Sequence, residues 1–300
     1  MADIGKDAGM LGDESALAGA SRLFVFLWSE AWRHSPAVAA GDAEALHDAR
    51  VALRRLRTAL EAFEGDDDAP LLSDSIAGEL KSWRRKVGKL GDRMGAVRDF
   101  DVLGDYLKDE GSEGLARFGQ KLGDERARNF PILVRALERG VEEDALRERF
   151  ARWALGLPGA TSAAQLSLPE AARRLLERRI RQALELGPAL RETDEERQHD
   201  LRKALRRLRY TLELFSPVWN APIKKPLKAL VEMQDALGEM QDRSVLNEWI
   251  ERSFKKAPDD AKDFAASNRA RREELLGEVR VLWEKREEEG LWMGIGRLSG

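Results

Sequence analysis

The segment from His47 to Phe63, HDARVALRRLRTALEAF, sorts into faces when wound at 100° per residue. Leu46, Ala49, Ala52, Leu53, Leu56, Leu60 and Phe63 share an arc roughly 120° wide, the stripe of a core-facing helix. His47, Arg50, Arg54 and Arg57 share an adjoining arc of about 80°, with Arg55 on its flank. The pattern returns 152 residues later, from His199 to Phe215, as HDLRKALRRLRYTLELF, with 12 of 17 positions identical. Leu201, Ala204, Leu205, Leu208, Leu212 and Phe215 form its apolar face. His199, Arg202, Arg206 and Arg209 form its basic face, with Arg207 on the flank. A period this long does not describe a solenoid; it predicts two related halves.

Other periodic stretches read as helices. The first runs from Asp13 or Ser15 to Arg33 and buries Leu17, Leu23, Phe24, Leu27 and Trp28, ending at His34-Ser35-Pro36. Gly41-Asp42 caps the helix at 43–63, and Gly65, Asp66–Asp68 and Pro70 form a loop. A third helix, 71–92, is apolar at Leu72, Ile76, Leu80, Trp83, Val87 and Leu90. It is basic at Lys81, Arg84, Arg85, Lys86 and Lys89. The glycines of Gly91–Leu103, GDRMGAVRDFDVL, predict a break with Asp99 as N-cap and a fourth helix ending near Asp109. That stretch has its own counterpart at an offset of 143, Gln234–Leu246 or QDALGEMQDRSVL. Residues 113–155 read as two helices broken at Pro131 and Gly140. The second half reads as helices at 169–186, 195–215, 222–238, 241–255 and 259–288. No segment reads as a strand.

The expected fold is therefore all-α: two four-helix-bundle-like halves from an internal duplication, related by a pseudo-twofold axis around a basic central cleft or channel. The expected limits are a disordered N-terminus at 1–12, an N-terminal half at 13–156, a Gly/Ser/Pro-containing linker at 157–168, a C-terminal half at 169–290 and a tail at 291–300.

Composition supports this. Hydrophobic residues are 43% of the chain and charged residues 35%, enough apolar material for a core. No cysteine is present, which excludes disulfides and cysteine-based metal or redox chemistry. The N-terminus lacks the basic-then-apolar order of a signal peptide, and the most apolar run, Leu23–Trp28, is far too short to cross a bilayer. A soluble, cytoplasmic protein is expected. Its net charge of −3 hides a segregation: residues 47–57, 81–98, 199–209 and 224–228 carry +3, +6, +4 and +3, leaving −19 on the rest.

Four cationic or cationisable side chains over ten residues line about 15 Å of helix. With no acid on that arc, they repel one another and call for a polyanion. Arginine engages phosphate oxygens bidentately and stays charged, and a histidine beside phosphate has its pKa raised. The competing interpretation is a charged bundle whose arginines all pair with Asp and Glu of neighbouring helices. Asp99, Asp101 and Asp242 suit either Mg²⁺ ligation beside phosphates or helix capping and pairing with Arg98 and Arg243. The sequence carries no GxxxxGK[ST] loop, no GxGxxG fingerprint, no HExxH spacing and no nucleophile elbow. Neither a catalytic residue nor a metal or cofactor site is assigned. The aromatic residues do not interleave with the arginines as a base-stacking surface requires.

The succession HxxRVxxRRLRxxLxxF, GxxRDxDVL, HxLRKxLRRLRYxLExF and LxxxQDxLGxxQD resembles the CHAD family, the conserved histidine α-helical domain, over about residues 15–290. The resemblance implies two helical bundles about a basic cleft that binds inorganic polyphosphate. The implied ligand residues are His47, Arg50, Arg54, Arg57, His199, Arg202, Arg206 and Arg209, with Arg55, Arg207, Arg98 and Lys228 behind them. The ExExK signature of the triphosphate-tunnel domain that adjoins some members is absent, so no hydrolysis is borrowed from it. Gln241 stands where the first half has Arg98, so the two halves need not bind equally. The expectation is a non-enzymatic polyphosphate binder, possible company for polyphosphate granules. Its rivals are a phosphohydrolase of polyphosphate or triphosphate, a nucleic-acid binder and a purely structural bundle.

Overall fold

The chain is described by a computed structural model over residues 3–64, 74–107, 113–142, 145–159, 166–254 and 258–299. Its helices are α1 (Ile4–Asp7), α2 (Ala16–Arg33), α3 (Ser35–Ala39), α4 (Ala43–Glu64), α5 (Asp74–Asp105), α6 (Glu113–Gly140), α7 (Leu146–Gly156), α8 (Leu168–Leu186), α9 (Glu195–Leu214), α10 (Lys224–Ser253), α11 (Asp259–Glu288) and α12 (Leu291–Gly296). Among the described residues there is no strand. The fold is all-α.

Helix α4 lies between α2 and α5, and α5 then packs on α6; α9 lies likewise between α8 and α10, and α10 packs on α11. Contacts of α4 with α9 and of α2 with α8 join the two sets. Corresponding positions meet at that junction. Ser15 and Ser167, 152 residues apart, are the N-caps of α2 and α8. They form a two-bond antiparallel bridge, with Ala16 N donating to Leu166 O at 2.9 Å and Leu168 N to Glu14 O at 2.8 Å. Phe63 and Phe215, the last residues of the two motif copies, pack ring to ring at 5.5 Å. All the apolar-face residues expected in α4 and α9 are buried. Each large one contributes about 1.5–3 kcal/mol, which fixes the rotation of both helices and so aims their basic faces. A second, smaller core of Phe100, Leu103, Phe118, Leu246 and Ile250, among others, ties the far ends of α5 and α10 to α6 and α11.

Several expected breaks are overturned. α5 runs unbroken through Gly91, Gly95 and Asp99, and α10 runs through Gly238. A helical glycine costs about 1 kcal/mol relative to alanine, which burial of Leu90, Met94 and Val97 in α5 and of Leu237 and Met240 in α10 offsets. Asp99 is thus mid-helix, not an N-cap. α6 likewise continues through Pro131, losing one backbone hydrogen bond while Leu133 and Leu137 keep its apolar face in the core. The N-terminal segment expected to be disordered instead forms α1, which buries Ile4 and packs on the Ser216–Val218 turn, and Met10 beyond it is buried beside Gly19. The expected tail forms α12, with Trp292, Ile295 and Leu298 buried. The loop at 65–70, Leu72, the end of the fourth helix near Asp109 and residues 160–165 of the linker fall outside the described residues.

Candidate anion-binding site

The basic face of α4 and part of that of α9 open on a cavity of about 450 Å³. Arg50, Arg54 and Arg57 enter it from α4, Lys203, Arg206 and Arg207 from α9, and Arg84 from α5; Glu61 and Asp92 are the acids in its wall. Two glycines of α5 face these side chains. A Cβ on Gly88 would stand 3.7 Å from the Arg57 guanidinium carbon, and one on Gly95 would stand 3.5 Å from Arg50 Nη2. The two arginines therefore pass over α5 at positions that carry no side chain. The same device recurs in the second copy, where Gly238 leaves room for Arg202 at 3.6 Å. Gly95 and Gly238, two of the glycines that carry a local signal for a break, instead lie against an arginine.

Neighbouring helices supply most of the carboxylates that the basic arc itself lacks, and α9 supplies Asp200 for its own Lys203. Arg50 Nη2 donates to Asp99 Oδ1 at 2.9 Å, Arg57 lies 3.8 Å from Asp92, Arg84 lies 2.9 Å from Glu64, and Lys203 lies 2.9 Å from Asp200. Arg207 pairs with Glu61 at 3.0 Å, and Glu61 also accepts from the buried Arg179 at 3.2 Å. Arg54 and Arg206 differ. Among the described residues no carboxylate pairs with either, and Arg54 Nε is buried with no hydrogen-bond partner. Asp99 takes Arg50 rather than Arg98 as its partner, and Arg243 pairs with Glu239 at 2.8 Å rather than with Asp242.

The remaining expected ligands lie elsewhere. Arg55 and Arg209 turn to the Tyr210 ring, at 5.9 and 5.0 Å, and to Glu213, at 3.5 and 3.6 Å. Lys228 sits with Lys225 and Arg286 in a separate groove and is 4.0 Å from Glu232. Arg98 is 4.0 Å from Asp101, which also accepts from Arg126. Arg202 and His199 stand beside the cavity rather than in its wall; His199 borders a small recess with Gln241 and Arg272. Lys203 and Arg84 were not singled out from the sequence as ligands. Lys203 had one signal: it is among the five positions where the two motif copies differ, facing Val51 in the alignment.

The family follows from the whole chain. The family model for the CHAD domain matches residues 27–251, a span that includes both motif copies and the helices that support them. The chain belongs to the CHAD domain family. Its fold is similar to that of the crystal structure of the CHAD domain from the plant Ricinus communis, at a TM-score of 0.73 and 22% identity over 91% of this chain and 93% of that one. It is also similar to that of PptA from Streptomyces chartreusis, at a TM-score of 0.65 and 16% identity over 92% of this chain and 100% of that one. No curated protein matches the chain by sequence.

Electrostatics at the centre of this CHAD domain follow from crowding like charges in a partly desolvated space. Burial, and then Arg54, draws the Arg206 guanidinium down to about 10. Burial lowers Arg50 and Arg202 against the pull of Asp99 and Asp242. It raises those two carboxyls despite the arginines beside them. His47 is lowered by burial and then by Arg98 and Arg54; His199 is lowered by burial and then by Lys203 and Arg202, while its hydrogen bond with Gln241 works against the shift. Both imidazoles are thus neutral at neutral pH in the free protein. Among the described residues no group of three His, Asp or Glu side chains gathers as metal ligands, and no helix is long and apolar enough to cross a membrane.

Proposed function

We propose that the cavity between α4, α5 and α9 binds inorganic polyphosphate in the cytoplasm and performs no chemistry on it. The observation that carries this reading is the pair Arg54 and Arg206, two partly buried guanidiniums without a carboxylate partner among the described residues. Their mutual repulsion costs folding energy that a purely structural bundle has no reason to retain. A chain of phosphates offers what the site lacks, namely closely spaced negative oxygens along one line for planar guanidinium forks. Arg50, Arg57, Lys203 and Arg207 reach the same space, and Arg57 and Lys203 can shift from Asp92 and Asp200 to the ligand at little cost, because exposed ion pairs contribute only about 0–1 kcal/mol. The aromatic rings near the site belong to the core or, as with Lys86 over Trp83 at 4.1 Å, carry a cation on the face a base would use.

The test is calorimetric titration with polyphosphate at two salt concentrations, on the wild type and on Arg54→Ala with Arg206→Ala. The wild type is expected to bind with an affinity that falls steeply with salt, as counterion release requires. The double variant is expected to lose binding with its helix content intact. Wild-type affinity in the double variant refutes the reading. Phosphate release in the presence of Mg²⁺ would replace it with hydrolysis, and displacement of polyphosphate by single-stranded RNA at fixed salt would replace it with nucleic-acid binding.

A further inference from the structure

The two motif copies do not build two equal cavities. Each α4 residue in the cavity wall has a counterpart 152 positions on in α9, and each α5 residue has one 143 positions on in α10. Where Thr58 leaves space, α9 carries Tyr210. Where Gly88 and Gly91 leave the α5 backbone bare, α10 carries Val231 and Gln234. Where Arg84 points inward, α10 carries Leu227, and where α9 contributes Lys203 to the open side, α4 has Val51. All of these exchanges either fill space or remove charge.

The consequences are visible in the structure. Tyr210 is 1% exposed and Leu227 3% exposed. Arg209, the counterpart of Arg57, has no glycine to lie on and instead folds back on the Tyr210 ring at 5.0 Å. Glu213 lies within 3.6 Å of both Arg55 and Arg209. Its counterpart Glu61 does the same for Arg207 at 3.0 Å, yet in that half the space next to it stays open. In the closed half the ring face and the carboxylate together meet the cations that a bound anion would otherwise meet.

We propose that this protein binds a run of phosphates at one place only, the open cavity of the N-terminal motif copy, and that Tyr210 occupies the equivalent place in the C-terminal copy. The proposal rests on the phosphate-binding reading above and adds to it a stoichiometry and a side. Gly88 and Gly91 become determinants of binding through the room they leave, while Arg55 and Arg209 become structural partners of Tyr210.

The decisive variant combines Gly88→Val with Gly91→Gln, which gives α5 the side chains of α10 and changes no charge. A Cβ at Gly91 meets nothing within 4 Å, and one at Gly88 meets only the end of the flexible Arg57 side chain, so α5 accommodates both. Wild type, this variant and Arg209→Met are titrated calorimetrically with tripolyphosphate and with long-chain polyphosphate at fixed salt, and folding is checked by circular dichroism. The expected result is one tripolyphosphate per wild-type chain, a Kd at least tenfold weaker in the glycine variant with an unchanged spectrum, and a Kd within threefold of wild type for Arg209→Met. Two tripolyphosphates per wild-type chain, wild-type affinity in the glycine variant, or an equal loss in Arg209→Met would overturn the single-site proposal alone. Failure of the wild type to bind either phosphate chain would overturn the phosphate reading, and the single-site proposal with it.

Discussion

Replacing Arg206 by Met separates a binding role from a folding role, because the two predict opposite changes in stability. Among the described residues Arg206 makes no ion pair and no hydrogen bond, and burial followed by the charge of Arg54 lowers its pKa from 12.5 to about 10. The sign follows from proton linkage. Between those two values the unfolded chain holds the proton more tightly than the folded one, so stability rises with pH there. At neutral pH, where the group is charged in both states, the full penalty is present. A depression of this size corresponds to about 3 kcal/mol as a ceiling. Water in the open cavity and the repulsion already relaxed by side-chain motion reduce it to about 1–2 kcal/mol. Methionine keeps the apolar stem and fills irregular space, so Arg206→Met is expected to stabilise the protein by about 1–2 kcal/mol.

In a chain of this size that gain raises the Tm by about 2–6 °C. Urea unfolding followed by circular dichroism at pH 7 measures it directly. The second arm adds polyphosphate: at a hundredfold excess over Kd the ligand stabilises the wild type by about 2.7 kcal/mol, and it is expected to stabilise the variant far less, so that the order of stability inverts when ligand is present. A loss of 1 kcal/mol or more on making Arg206→Met without ligand would refute the reasoning, since it would mean that the guanidinium holds the bundle together.

Two further outcomes follow from the same electrostatics. Because His47 and His199 titrate below the ordinary histidine value in the free protein, stability without ligand is expected to fall as pH drops below about 6.5, whereas affinity for polyphosphate rises over the same interval. Titrations in two buffers of different ionisation heat at pH 6.5 should show proton uptake on binding, and His47→Gln with His199→Gln should reduce it to what the phosphate chain itself contributes. Glu61→Gln leaves Arg207 and the 1% exposed Arg179 without their shared carboxylate; urea unfolding should show a loss of about 3–5 kcal/mol, while calorimetry shows tighter polyphosphate binding because an anion has left the cavity wall.

The apolar faces of α4 and α9 were legible because helical periodicity states burial directly, and every residue assigned to them is buried. The limits of α8, α9 and α11 were legible for the same reason, reinforced by capping residues such as Ser167 and Asp194. The long helices were not. Gly91, Gly95, Pro131 and Gly238 carry local signals for a break, and tertiary burial on either side outweighs about 1 kcal/mol per glycine and about 3 for the proline. The site was half legible. A wheel orders side chains about one axis, but a cavity is set by which helix lies opposite, and that depends on packing that no single-helix pattern contains. Hence the wheel puts Arg54 and Arg57 on the face that lines the cavity, but it does not show that Arg207 joins them there while Arg209 and Lys228 lie elsewhere.

The repeated motif was informative in a way its identities were not. Twelve shared positions fix the common frame of core and arginine stripe, but residues that are the same in both copies cannot explain why the copies behave differently. That burden falls on the exceptions. Of the five differing positions, Val51/Lys203 and Thr58/Tyr210 border the space beside the arginines, and the first adds a cation to the open side while the second fills the closed one. The supporting helix repeats the pattern at Gly88/Val231 and Gly91/Gln234. Identical arginines at Arg57 and Arg209 then reach different partners, Asp92 in one half and Glu213 with Tyr210 in the other. A cationic stripe therefore specifies only the capacity to hold an anion. The small residues opposite it decide whether there is room for one.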